Sequence, residues 1–136
     1  MKNRADKFQD LIVWQKGQEF FILVVKDIKC FPKSRISYIV AKQLIRSSSS
    51  ISANIAEGFC RHSPGEIKYH FTVARGSTGE SQDWYLKCEK LKYLSQEIVE
   101  TRVRFLNDIL KMIDAFIYRL QEQKSTQSKQ SKQLKK

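Results

Sequence analysis

The chain has 136 residues, 41% of them hydrophobic, with only 5 glycines and 2 prolines. That length fits one domain with its own core, and the scarcity of helix breakers argues against a turn-rich all-β fold. The formal net charge of +11 favours a polyanionic partner such as RNA or DNA.

No segment reaches the roughly 18 consecutive apolar residues that a membrane span needs, and the first ten residues lack the apolar stretch of a secretory signal. We therefore expect a cytoplasmic protein with no membrane partner. Its cysteines, Cys30, Cys60 and Cys88, are odd in number and lack the paired spacing of a zinc site. We expect buried or idle thiols, and neither a metal nor another cofactor.

The first predicted helix runs from about Leu11 to Cys30, and Asp10 is placed to cap its N-terminus. Apolar residues recur along it at helical spacing. Phe31-Pro32 ends the helix, because the residue before a proline is pushed out of helical geometry.

The second predicted helix begins near Ser34 and ends near Gly58. Its expected inward face follows steps of three and four residues and reads Ile36, Val40, Leu44, Ser47, Ile51, Asn54 and Gly58. Ser47 is small enough to let a neighbouring helix approach closely. Asn54 needs hydrogen-bond partners if it is buried, so we expect a polar element inside the bundle.

The segment Ser63–Glu66 predicts the start of the third helix, because it combines a serine cap, a proline at the first helical position and a glutamate at the third. This helix is expected to run to about Leu94. Gly76 and Gly79 lie inside it, where each costs about 1 kcal/mol relative to alanine. Close approach of another helix would explain that cost.

Ser95 can cap the fourth helix, in which one apolar face forms a heptad seam from Val99 to Leu120. A helix that is apolar over a wide arc needs cover on two sides, so we expect a second apolar series to contact a neighbouring subunit. That series comprises Ile98, Phe105, Ile109, Met112 and Phe116.

The apolar period stops after Leu120, and the lysine- and glutamine-rich residues 123–136 are expected to be disordered. The predicted organisation is a lead-in at 1–9, a four-helix domain at 10–122 and the tail at 123–136. The fold class is all-α, an antiparallel up-down four-helix bundle.

No residue pattern predicts catalysis. The serine run at 47–50 has no histidine partner at a suggestive spacing, and the carboxylates are not paired for acid–base chemistry. His62 and His70 have too few companions for a metal site. We therefore expect a protein that is not an enzyme.

Basic side chains show partial order on the second and third helices, at spacings of seven and four residues. They are Arg35, Lys42, Arg46, Arg61, Lys68 and Arg75. Because such stripes can follow a phosphate backbone, these six residues form a candidate nucleic-acid interface. A solvated helix face shows the same pattern and is an equally good interpretation.

Residues 43–58 read QLIRSSSSISANIAEG, a string that resembles the motif of the bacterial 23S rRNA intervening-sequence proteins, a four-helix-bundle family. The resemblance extends over about residues 8–120. Further matches in chain order are Asp10-Leu11, Val13-Trp14, Phe31-Pro32, Ala74, Gly76, Ser77 and Glu80.

The resemblance implies an up-down bundle that assembles as a ring-shaped homopentamer. Some members of the family are encoded within insertions in the large ribosomal RNA gene. A related branch, the accessory proteins of diversity-generating retroelements, binds nucleic acid and a reverse transcriptase. The resemblance thus implies a protein that binds RNA or DNA. The alternative is a scaffold that binds a protein partner, for example a reverse transcriptase, without touching nucleic acid.

The family commonly places two adjacent arginines after Gln-Leu, where this chain has Ile45-Arg46. The matched polar residues could face a polyanion, but we favour a structural network between the second and third helices, because buried polar groups need one another. The network residues are Gln43, Arg46, Asn54, Glu57 and Glu80.

Overall fold

The structure, a computed structural model, describes residues 5–135 and is all-α over that range. A short 3-10 helix at Phe8–Asp10 precedes four helices, which are α1 Ile12–Ile28, α2 Arg35–Phe59, α3 Pro64–Lys90 and α4 Gln96–Leu134. The prediction of four helices without strands is confirmed for the described part of the chain. Residues 1–4 and Lys136, which fall in the predicted lead-in and tail, lie outside the described residues.

Serine side chains cap three of the four helices. Ser34 accepts a hydrogen bond from the Ser37 backbone N–H at 3.1 Å and donates its own N–H to the Ser37 hydroxyl at 3.0 Å. Ser63 and Ser95 each accept from the backbone N–H three residues later, at 3.2 Å in both cases. These bonds satisfy N–H groups that have no partner inside the helix.

One predicted cap and one predicted helix end are wrong. Asp10 belongs to the 3-10 helix, so α1 starts at Ile12 behind Leu11, which makes no side-chain cap bond. The end of α3 comes at Lys90 rather than near Leu94, because Lys92 adopts a left-handed conformation with a φ of 62° and reverses the chain.

Consecutive helices pack against each other, and α1 also contacts α4. The core between them is formed by fully buried side chains from all four helices. The largest of these are Tyr85, Phe20, Phe71, Leu44, Ile51, Ile55, Leu106, Ile109 and Ile113. A core of this size supplies the hydrophobic burial that holds the fold together.

The inward face of α2 is broader than predicted and is rotated toward α1. Ile36 is 56% exposed and does not belong to it, whereas Ser48, Ser52 and Ile55 are buried. The reason is the close approach of α1: a Cβ added to Gly17 would lie 3.1 Å from the Cβ of Ser52. Helix α2 is therefore covered on two sides.

The second apolar series of α4 packs against the core of the same chain, and one of its members is fully buried. Ile109 is fully buried and cannot contact a neighbouring subunit, so its assignment to an oligomer interface is wrong. Phe105 stacks on Phe20 with ring centroids 6.0 Å apart, and Phe116 stacks on Phe71 at 4.0 Å. Ile98 and Met112 are partly buried and pack against the same core.

Helix α4 extends beyond Leu120, where the sequence pattern predicted its end. It continues without a break to Leu134, and every described side chain beyond Leu120 is exposed. Because residues 121–134 include no glycine or proline and are rich in glutamine and lysine, their propensity does not stop the helix.

No helix within residues 5–135 is long and apolar enough to cross a membrane.

Candidate nucleic-acid interface

The six basic residues singled out from the sequence do not form one stripe. Helix α2 has 25 residues, and at 1.5 Å per residue it is about 37 Å long. Arg35 at its start is therefore far from Arg61 beyond its end, and Lys68 lies near the beginning of α3. No single ligand of moderate size contacts all six.

Three of the six have carboxylate partners on the protein surface. Arg46 pairs with Glu80 and Arg61 with Glu57, while the Nε of Arg75 lies 2.7 Å from Oδ1 of Asp114. Hydrogen bonds to these carboxylates raise the pKa of two of the guanidinium groups, Arg61 and Arg75. Arg35, Lys42 and Lys68 are exposed and make no ion pair within residues 5–135.

A denser positive surface lies where the α1–α2 and α3–α4 loops meet. The ring of Phe31 packs on that of Tyr93 at 5.2 Å between centroids, which joins the two loops. Five exposed basic residues lie within four positions of one of these rings and make no ion pair among the described residues. We call this surface the basic loop end, and its residues are Lys29, Lys33, Arg35, Lys90 and Lys92.

Only Arg35 of the basic loop end was singled out from the sequence. The other four residues are lysines: Lys29 and Lys33 lie in the α1–α2 loop, whereas Lys90 ends α3 and Lys92 follows it in the α3–α4 loop. Their signal was basic residues close to a predicted helix end, on both sides of Pro32 at 29–35 and on both sides of Leu91 at 90–92. That signal becomes informative only when both loops are placed at the same end of the fold.

The predicted polar network between α2 and α3 is split into two groups. Near the middle of α2, Gln43 accepts from Arg46, and Arg46 binds Glu80, which also accepts from the indole N–H of Trp84 at 3.2 Å. Near its end, Asn54 lies 3.3 Å from a ring nitrogen of His70. Glu57 belongs to this second group, because its carboxylate pairs with Arg61 and lies 3.8 Å from His70; the Arg61 hydrogen bond lowers the Glu57 pKa.

Two pairs of serine hydroxyls lie between the two groups along α2. Ser47 accepts from Ser81 at 2.9 Å, and Ser50 accepts from Ser77 at the same distance. The later residue in α2, Ser50, thus pairs with the earlier residue in α3, Ser77. The serine-rich motif thus provides small polar contacts that let two helices approach closely without leaving a buried hydroxyl unpaired.

Sequence reasoning missed a buried charged group formed by Asp27, Tyr85 and Arg102. The Asp27 carboxylate accepts from the Tyr85 hydroxyl at 2.7 Å and from two nitrogens of Arg102 at 2.7 and 3.0 Å. The group ties α1 to α3 and α4. A signal was present, because Asp27 continues the apolar spacing of Phe20 and Val24 on α1.

No cluster of three or more metal-ligating side chains occurs within residues 5–135. Cys88 is buried, and burial followed by the nearby Asp27 raises the pKa of its thiol to about 11, so it stays protonated at neutral pH. Cys30 and Cys60 are exposed free thiols.

Comparison with known proteins gave matches to one family model and to solved structures. The family model described as 23S rRNA-intervening sequence protein matches residues 9–115. A crystal structure of a protein of unknown function from the S23 ribosomal protein family, from Bacteroides thetaiotaomicron VPI-5482, is similar with a TM-score of 0.72. That likeness covers 78% of this chain and 98% of the other at 24% sequence identity. No curated protein matches the sequence.

Proposed function

The chain belongs to the family of 23S rRNA-intervening sequence proteins, and from that premise we propose that it is a non-catalytic protein that binds RNA as a cytoplasmic homo-oligomer. The order of the contacts between α2 and α3 supports an antiparallel up-down bundle as the subunit. One observation supports RNA binding above the others: the five cations of the basic loop end make no ion pair with any residue in the range 5–135.

The chemistry of the basic loop end suits a phosphate backbone. Its cations lie in or next to two loops that the contact between the rings of Phe31 and Tyr93 holds together. The carboxylates nearest in sequence, Glu89 and Glu97, are fewer than the cations, and Asp27 is occupied by Arg102. A surface with such an excess of positive charge attracts polyanions and releases their counterions on binding.

The test is anisotropy of a labelled RNA hairpin titrated with protein across a salt series. Wild-type protein should show a linear fall of log K with log salt. The double variant Lys33→Gln/Lys92→Gln should bind about tenfold more weakly. The slope of log K against log salt should become shallower by the equivalent of about two phosphate contacts. Lys111→Gln, an exposed lysine on α4, is the matched control and should bind as wild type.

Two results would contradict the proposal. One is the absence of binding at low salt. The other is a loss of affinity that is the same for Lys111→Gln as for the loop double variant, since general charge attraction would then explain the binding.

Exposed apolar side chains on α2 and just after α3 support the proposal that the chain assembles with copies of itself. Ile36, Ile39 and Leu91 are 56%, 46% and 43% exposed. In an antiparallel bundle, the Ser47–Ser81 hydrogen bond supports a pairing in which the start of α2 lies near the end of α3, and therefore Ile36 and Ile39 near Leu91. We propose that a second copy covers them and that the assembly is a ring-shaped homopentamer.

Light scattering tests the assembly. Five copies of the 16.0 kDa chain give a mass of about 80 kDa. Ile36→Glu/Ile39→Glu should shift the mass to that of one chain, whereas Ile22→Glu on α1, also exposed, should leave it unchanged. A wild-type monomer at high protein concentration would overturn the proposal.

The same apolar surface supports the second candidate function, a scaffold for a protein partner such as a reverse transcriptase. A pull-down that survives nuclease treatment and is lost in Ile36→Glu/Ile39→Glu would favour this function. Retention of the partner only while RNA is intact would favour RNA binding.

A further inference from the structure

A cavity of about 520 Å3 lies at the end of the fold opposite the basic loop end. It opens between the α2–α3 loop, the C-terminal half of α4 and the segment before α1. Most of its wall is apolar and is formed by Leu11, Phe59, Ile67, Phe116 and Leu120. Phe116 is a fixed part of that wall, because its ring stacks on the buried Phe71 with an interplanar angle of 6°.

The polar part of the same cavity contains two arginines. Arg61 and Arg119 line it together with His62 and the amide of Gln123, and none of the described lining residues is acidic. Arg61 forms an ion pair with Glu57, with 2.7 Å between a guanidinium nitrogen and a carboxylate oxygen. Arg119 makes no ion pair within residues 5–135. Arg119 is therefore the cation most available to a ligand.

A neighbouring cavity of about 630 Å3 shares Leu11, Phe116 and Arg119 with the first. Its wall includes Asp6 and Asp10, whose carboxylates repel an anion. An anionic group that approaches Arg119 is thus directed toward the side of Arg61 and His62.

We propose that this cavity binds a nucleoside monophosphate, with the base against the Phe59 and Phe116 side and the phosphate on Arg119 and Arg61. Arginine binds phosphate through paired N–H donors in a fixed fork. Bases pack on aromatic and apolar side chains whatever their sequence. The volume falls within the range of about 300–1,000 Å3 that is usual for small-molecule sites.

The two halves of the wall together define the ligand class. Inorganic phosphate leaves the apolar wall in contact with water, and an uncharged nucleoside leaves the arginines without an anion. A molecule with a flat apolar body and a phosphate satisfies both. Such a group is either a free nucleotide or the terminal nucleotide of an RNA strand.

Calorimetric titration of the full-length protein with adenosine monophosphate, adenosine and inorganic phosphate tests the proposal. Adenosine monophosphate should bind at least tenfold more tightly than either fragment. Arg119→Gln should weaken that binding at least tenfold, while Arg104→Gln, an exposed arginine elsewhere on α4, should leave it unchanged. Thermal melting of each variant shows whether the fold is retained.

Equal affinity for adenosine monophosphate and inorganic phosphate would overturn the proposal, as would unchanged binding in folded Arg119→Gln. A second titration identifies the source of the nucleotide. If an RNA oligomer with a terminal phosphate binds Arg119-dependently and more tightly than the free nucleotide, the strand end is the ligand; equal or weaker binding indicates the free nucleotide.

The outcome is separable from that of the proposed RNA binding at the basic loop end. Lys33→Gln/Lys92→Gln should retain nucleotide binding in the cavity, and Arg119→Gln should retain the salt-dependent binding of an RNA hairpin without a terminal phosphate. Each site can therefore fail alone.

Discussion

Two neighbouring residues of α3, Trp84 and Tyr85, take part in similar hydrogen-bonded groups, one at the surface and one inside the fold. In each group a single carboxylate accepts hydrogen bonds from both an arginine and an aromatic side chain. Tyr85 and Arg102 share Asp27 inside the fold, where the side chains of the ion pair are 13% and 5% exposed. The carboxylate shared by Trp84 belongs to Glu80, which is 37% exposed.

The difference in burial changes what each group does. The buried carboxylate has lost its water and depends on its protein partners, so removing one of them leaves a charge uncompensated. Water and salt screen the exposed pair, which therefore contributes little to stability. The inner group is expected to hold three helices together, and the outer group is free to exchange partners with a ligand.

Asp27→Asn should give the largest effect. The substitution keeps the shape of the side chain but removes the charge that balances Arg102, so we expect a loss of about 3 kcal/mol in the free energy of unfolding. Urea denaturation followed by circular dichroism measures it. A loss below about 1 kcal/mol, the range of a surface pair, would show that Arg102 finds enough water to replace the carboxylate.

Tyr85→Phe should cost about 1–2 kcal/mol at neutral pH, because the Asp27 carboxylate loses one donor. The variant should also change the response to alkali. Burial, followed by the nearby Asp27, raises the pKa of the Tyr85 phenol above its usual value. Above about pH 10 the unfolded chain then loses a proton that the folded chain keeps, so wild-type stability falls as pH rises.

Urea titrations from pH 7 to pH 11 measure that slope. Because Cys88, whose pKa is raised to about 11, is present in both proteins, the difference between their slopes isolates Tyr85. The Phe variant should lose less stability than wild type above pH 10. Parallel curves would contradict a protonated phenol in the fold.

Gly79→Ala tests the outer side of α3 beside Glu80 and should stabilise the protein by about 1 kcal/mol. A Cβ at Gly79 meets nothing within 4 Å, and the same is true at Gly76. Gly58→Ala on α2 is the matched opposite, because its Cβ would lie 2.9 Å from the Cβ of His70 and from a ring carbon of Phe71. Thermal melts should therefore shift in opposite directions; two shifts of the same sign would contradict the packing.

These glycines also show where sequence reasoning succeeds and fails. Close approach of another helix was predicted at Gly76 and Gly79 and is wrong, because it occurs instead at Gly17 and Gly58. Composition and spacing identified the number and type of the elements, since helix periodicity and serine caps are local signals. Which face of a helix meets a neighbour depends on the rotation of the whole helix, and a shift of one residue moves it by 100°.

The candidate sites depend on contacts that are remote in sequence. The Asp27–Arg102 pair joins residues 75 positions apart, and the basic loop end joins two loops separated by α2 and α3. A one-dimensional pattern identifies each residue as unusual but not as a partner of the other. The family motif at 43–58 was the exception, because its small and polar residues lie on one helix and their pairing with α3 explains them together.

Glu80→Gln should have the smallest effect and completes the comparison with Asp27→Asn. Both substitutions remove a carboxylate charge from an arginine and an aromatic donor while keeping the side chain's shape. Because the Arg46–Glu80 pair is exposed, we expect a loss of at most about 1 kcal/mol. In 1 M salt that loss should nearly vanish, whereas the loss in Asp27→Asn should persist, because screening acts on exposed charges much more than on buried ones. Urea denaturation of both variants at low and high salt measures the contrast. If Glu80→Gln is as costly as Asp27→Asn and equally insensitive to salt, burial is not what separates the two groups, and the outer pair is as much a structural element as the inner one.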